Sequence, residues 1–268
     1  MTRYGRLGAV ILALLALFAV VGPWLAGDPN AQPDPVHSSL LLPSAAHWLG
    51  TDQLSRDLLA RFAIGARISL VVATIAVAVA AAIGSVLGLL AGAFSGPAGI
   101  ALQRLIDLGL ALPRIIVLLV VLAAVGRVQY PVLGAILGAT GWPAVARLVR
   151  GETLRLRQAA YVTAASALGA PPRRVLWQEI FPGTIPAVLV ASTLGLADAI
   201  LLEAGLSFIG VGVRPPDASW GGMLYEARDY IGTAPWLVFV PCVALVAATS
   251  AATLLGDALR RSLQPESR

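Results

Sequence analysis

Side chains able to do chemistry are sparse in this chain of 268 residues: 14 acids, 2 histidines and 1 cysteine. Asp107, Asp198 and Glu203 lie in or beside long apolar runs. A charge at the centre of a bilayer costs at least about 2.5–3.5 kcal/mol, so such acids face protein or a water-filled path. They could form a proton relay. Asp107 stands three positions after Arg104, however, where helix geometry brings side chains together, and a local ion pair is the favoured reading. Glu203 falls near the outer end of its run and reads as solvated. His37 and His47 are ten apart in a polar stretch, with neither His-x-x-x-His spacing nor a neighbouring Cys. That is a weak metal signal, and no Ser-His-Asp arrangement can be drawn from it. Cys242 sits among apolar neighbours and reads as an inert buried thiol, with no disulfide framework. All 19 basic residues are Arg. A phosphate-binding loop of the G-x-x-x-x-G-K-[ST] type needs a Lys, so this chain does not hydrolyse ATP by that route.

The elements that must position these residues are membrane helices. The chain is 58% hydrophobic and 12% charged, with a mean hydropathy of +0.83. Soluble domains carry roughly a quarter charged residues. The pattern predicts an all-α, polytopic membrane protein. Six spans are expected, at about 7–26, 67–93, 99–126, 131–150, 184–204 and 235–257, each near the roughly 20 residues a span requires. The first run could be a signal peptide, but no small-residue cleavage site follows it and an uncleaved span is expected. The chain divides into 1–66, a first helix with an outer loop, and 67–268, a five-helix core carrying a loop at about 151–183.

With the N-terminus inside, 13 arginines (Arg268 among them) fall on the cytoplasmic side and 6 on the outer side. The excess of basic residues inside expects both termini and Arg173 in the cytoplasm, with Asp34 and Asp217 outside. It also accounts for the pI of about 10.1 as a topology signal, not a nucleic-acid surface. Gly84, Gly88, Gly92 and Gly96 repeat every fourth residue on the second span, and Gly134 and Gly138 repeat this on the fourth. Such a stripe lets another helix approach closely, within the chain or in a second subunit.

Tyr161 to Pro186 breaks the apolar pattern with an Arg-bearing, Pro-rich segment that cannot lie in lipid. Good helix formers run from Tyr161 to Leu168; Gly169 then stops the helix, with Pro171 and Pro172 beyond. This short helix either rests on the bilayer or offers its small-residue face to another protein.

The set Tyr161, Ala164, Ala165, Leu168, Gly169 and Phe181-Pro182 resembles the "EAA" loop of ATP-binding-cassette importer permeases. Further blocks are similar to the dipeptide/oligopeptide (and nickel) branch of that family. They are Leu49-Gly50-Thr51-Asp52 with Arg56-Asp57, Gly141-Trp142-Pro143 through Arg150, and Glu203-Ala204 through Pro215-Pro216 and Trp220-Gly221. Thr163 stands in place of the loop's Glu, Phe181 in place of Leu, and Ser55 in place of an outer-motif Gly. Thr253 and Arg261 replace the Asn and Asp common in the last span and tail.

The resemblance implies a type I ABC importer permease fold in a bacterial inner membrane. It implies a permease subunit for di- or oligopeptides, with nickel, glutathione or opine as alternative substrates. It implies no enzyme activity and no cofactor on this chain, with ATP and Mg in partner subunits. The partners implied are a homologous second permease, two ATP-binding subunits or one fused ATPase, an extracytoplasmic solute-binding protein and membrane lipid. Tyr161, Ala164, Ala165, Leu168, Gly169 and Pro182 would dock the ATPase. Asp52, Arg56, Asp57, Glu203, Pro215, Pro216 and Trp220 would form an outer loop or gate. An ion-coupled secondary transporter is the rival class, and would depend on the intramembrane acids.

Overall fold

In lipid a backbone can satisfy its polar groups only within helices or a closed barrel. The computed structural model, which describes residues 3–263, takes the helical solution. Its helices are α1 (Arg3–Leu25), α2 (Leu58–Ala93), α3 (Pro97–Ala111), α4 (Arg114–Val125), α5 (Tyr130–Arg157) and α6 (Ala160–Ala167). They continue with α7 (Pro172–Phe208), α8 (Trp220–Ala227) and α9 (Trp236–Leu263). Five are long and apolar enough to cross a membrane, or six if the bent pair α3–α4 counts as one span. Arg268 lies outside the described residues.

The third span is not the single helix expected over 99–126. α3 and α4 meet at 86°. Leu112 is extended (φ −82°, ψ 132°) before Pro113; the ring of Pro113 disfavours a helical residue before it and removes one backbone donor. α2 starts at Leu58, nine residues earlier than expected, because Asp57 accepts a hydrogen bond from the Ala60 amide and caps it. A division at 66/67 therefore cuts a continuous helix. Much of 151–183 is also helical, since α5 runs on to Arg157 and α7 begins at Pro172.

α2 and α5 form the central pair and run parallel, with positions 72, 76, 84, 88 and 92 facing 134, 138, 145, 146 and 153. A Cβ added at Gly84, Gly88, Gly92, Gly134 or Gly138 would fall 2.4–2.8 Å from the facing helix, against Val145, Ala146, Thr153, Val72 and Ala76 respectively. The stripe is thus consumed by packing within the chain. Gly96 does not belong to it: it precedes α3 at φ +82° with nothing near its Cβ position.

α1 is tied to α2 through a proline defect. Pro23 lacks the N–H that the Ala19 carbonyl would accept from in a regular helix. Arg67 supplies the donor instead, from Nε to Ala19 O (3.0 Å) and from a terminal nitrogen to Val20 O (2.9 Å).

Candidate functional sites at the two ends of the bundle

One end of the bundle carries the turn between α5 and α7. α5 stops at Arg157, two residues intervene, and the eight-residue α6 begins. Val162 is its buried foot, packed in a small cluster with Leu156, Val175 and Ile180. Nearly everything else on α6 faces outward. Tyr161, Ala164, Leu168 and Gly169 are exposed, Leu168 by 89%, and Ala165 is half-buried. The helix ends as its sequence requires. Gly169 has φ +83°, its amide donates to Ser166 O, and the Ala170 amide donates to Ala165 O. That pair of bonds is a Schellman stop, in which the left-handed residue is cheap only for Gly. Among the described residues, apart from its chain neighbours, nothing lies within 4 Å of a Cβ built at Gly169.

Beyond the turn, α7 is π-helical from Val175 to Ile180, and Pro182 is exposed just after it. π-helical turns within longer helices concentrate at functional sites.

The opposite end holds a closed polar cap. Arg56 reaches Asp52 (2.5 Å) and Glu226 (2.6 Å); Arg61 reaches Glu226 (2.9 Å) and lies 3.5 Å from Asp52. Two cations and two anions balance, with side chains 2–16% exposed. Asp57 is the cap of α2 and also contacts His47 Nδ1 at 2.8 Å; His47 is therefore a structural partner in the loop before α2.

Glu203 is not solvated as expected: it is fully buried. Ser69 donates to it at 2.8 Å and Ser207 at 2.7 Å. Ser69 also accepts from the Trp220 amide (3.1 Å), and Ser207 from the Val213 amide (3.0 Å). One acid thereby joins α2, α7, the turn after α7 and the start of α8. Trp220 is fully buried there, stacked on Phe62. Pro215-Pro216, a cis pair, lies on the exposed side of the same cap, where Arg127 donates to the Pro215 carbonyl at 2.6 Å.

Comparison with known proteins brings these two ends together. The family model described as "Binding-protein-dependent transport system inner membrane component" matches residues 84–268. The chain belongs to this family. It is 42% identical to a "Probable peptide ABC transporter permease protein" of Sinorhizobium fredii, over 98% of this chain and 89% of that one. It is 36% identical to a "Probable D,D-dipeptide transport system permease protein" of Escherichia coli (96% and 86% covered). It is 38% identical to a "Nickel transport system permease protein" of the same species (97% and 93%). The chain is thus a multi-pass ABC importer permease and not an enzyme; ATP hydrolysis belongs to separate subunits.

Within the permease, the intramembrane acids do not line up as a relay. Asp107 pairs with Arg147 on α5 at 3.1 Å, and not with Arg104 on its own helix. Asp198 pairs with Arg114 at 2.5 Å. Sequence reasoning gave Arg61 and Glu226 no site role, and Ser69 and Ser207 entered only as members of the resembling blocks. Their signal was chemical: an Arg and three further polar residues beside spans that otherwise exclude such groups. Arg114, counted with the cytoplasmic arginines, lies at the break between α3 and α4 and lines a cleft with Asp198.

Proposed function

We propose that this permease forms half of the translocation path of an ATP-driven peptide importer. A homologous second permease supplies the other half. Two ATP-binding subunits, or one fused ATPase, carry ATP and Mg and dock on α6. A solute-binding protein delivers substrate to the outer cap, and lipid surrounds the spans. Both termini and Arg173 face the cytoplasm, with Asp34 and Asp217 outside.

One observation supports the docking assignment: Val162 is the buried residue of α6, while Tyr161 and Leu168 stand exposed beyond it. An eight-residue helix is too short to persist by propensity, and the Leu at its tip stands 89% exposed among the described residues. A groove on another subunit gives the helix both a partner and a lever. Closure of the ATPases would then drag α6, and through Val162, Val175 and Ile180 would swing α5 and α7. That is rigid-body alternating access. Asp52, Arg56, Asp57, Glu203, Pro215, Pro216 and Trp220 are assigned to holding the outer face in one piece while the inner ends move.

The peptide substrate is supported by the names of two relatives, and nickel by the name of a third. Uptake by the complex purified through this chain and reconstituted with its binding protein decides between them. ATP-dependent accumulation of labelled dialanine, and none by this chain alone, is expected. Accumulation of nickel without peptide would replace the substrate. Single-cysteine labelling at positions 34, 173 and 217 in a Cys242→Ser background tests the topology; labelling of position 217 only from the cytoplasm would invert it.

A further inference from the structure

The cleft between α2, α5 and α7 has a volume of about 990 Å³ and mostly small apolar walls, Ala76, Ala80, Ala144 and Val190 among them. Two charged side chains interrupt those walls deep in the bundle. Arg114 opens α4, immediately after the 86° bend. Asp198 lies ten residues inside the C-terminal end of α7 (208 − 198). That is about 15 Å along the helix at 1.5 Å per residue, roughly half the hydrocarbon thickness.

The two partners are held very differently. Arg114 donates to Leu137 O (2.8 Å), to Thr140 Oγ1 (3.5 Å) and to Asp198 (2.5 Å), and its side chain is 29% exposed. Asp198 has Arg114 as its charged partner, and its side chain is 58% exposed, toward the cleft. An ionised carboxylate offers about four acceptor positions, so Asp198 keeps capacity that the pair does not use. A charge held at this depth faces a path or a partner by default. The cleft's other carboxylate, Glu152, is engaged by Arg155 at 2.5 Å.

We infer that Asp198, positioned by Arg114, is a substrate-contact residue that accepts the primary ammonium group of a peptide in transit. The proposal rests on the peptide reading above. A charge-assisted N–H···O bond is roughly twice as strong as a neutral one. The Arg114 guanidinium keeps the carboxylate aimed, so the site is ready before the substrate arrives. Its overall neutrality suits a zwitterion better than a bare divalent cation, which would meet an arginine beside a single free carboxylate.

The test is the number of dialanine molecules taken up per ATP hydrolysed by the reconstituted complex with its binding protein. This ratio does not depend on how much complex folds. Asp198→Asn is expected to lower it at least tenfold, and Asp198→Glu to recover part of the loss. A ratio within twofold of wild type for Asp198→Asn would reduce the pair to a structural tie. Should Asp198→Asn not assemble, the swapped pair, Arg114→Asp with Asp198→Arg, decides by the same ratio. It keeps the net charge but presents a cation to the ammonium, so an undiminished ratio again overturns the proposal. If the wild-type complex takes up no dialanine, the peptide reading itself fails and this inference falls with it; loss confined to the variants leaves both standing.

Discussion

The outer cap and the α6 elbow are opposite solutions to placing polar chain at a membrane surface. The charges of the cap are met within it: Asp52, Arg56, Arg61 and Glu226 neutralise one another, while Glu203 ties two serines that in turn receive the Trp220 and Val213 amides. The elbow satisfies its backbone through the Gly169 stop and leaves most of its side chains, Leu168 above all, exposed. Buried, mutually saturated groups rigidify; an exposed short helix with one buried foot does not. The difference teaches that one end is held by its own charges, while the other, on the proposed function, awaits another subunit.

The largest expected effect breaks the cap. Arg61→Ala leaves Glu226 and Asp52 short of a buried cation, and removing one partner of a buried pair costs about 3–5 kcal/mol. Thermal unfolding in detergent should show a fall of several degrees in Tm, with the α6 elbow unaffected in cysteine accessibility. A Tm equal to wild type would mean that the cap is not the rigid end.

Gly169→Val sharpens the contrast from the other side. A β-branched residue at φ +83° is strained by about 1–3 kcal/mol. Among the described residues, apart from its chain neighbours, nothing crowds the position, so the damage stays local. Tm should drop less than for Arg61→Ala, while transport falls at least tenfold. Arg173→Ala, which removes an exposed charge, should be mild. If Gly169→Val transports normally, α6 is a passive surface helix.

The smallest effect has the opposite sign. Ser55 sits at φ +59°, buried, with its hydroxyl unpartnered. The left-handed region costs a non-Gly residue roughly 1–2 kcal/mol, and a buried hydroxyl without a partner costs more. Ser55→Gly should raise Tm slightly, which agrees with the Gly that the resembling family carries there.

Local signals were legible in the sequence where backbone chemistry decides the outcome. Gly169 with Pro171 and Pro172 marks a helix stop, and the structure has one there. The glycine repeats on α2 and α5 mark a close helix pair, although spacing alone could not say that both faces belong to one chain. Leu112-Pro113 also carried its signal, but the apolar run on either side masked the bend. Pairings across the fold were illegible for a different reason. Glu226 follows Arg61 by 165 residues, and Asp198 follows Arg114 by 84. Nothing local links such partners, so Glu203 read as solvated and Asp107 was matched to the nearest Arg on its own helix.

The central claim is that α6 sits in a groove of the ATPase. Leu168→Cys in a Cys242→Ser background, within the assembled complex, tests it most directly by disulfide or short bifunctional cross-linking to cysteines placed around the ATPase surface. The account predicts a single strong adduct with an ATPase subunit, weakened by Gly169→Val and altered when ATP binds. Efficient labelling of Leu168→Cys by a membrane-impermeant reagent in the intact complex, with no adduct to any ATPase position, would contradict it.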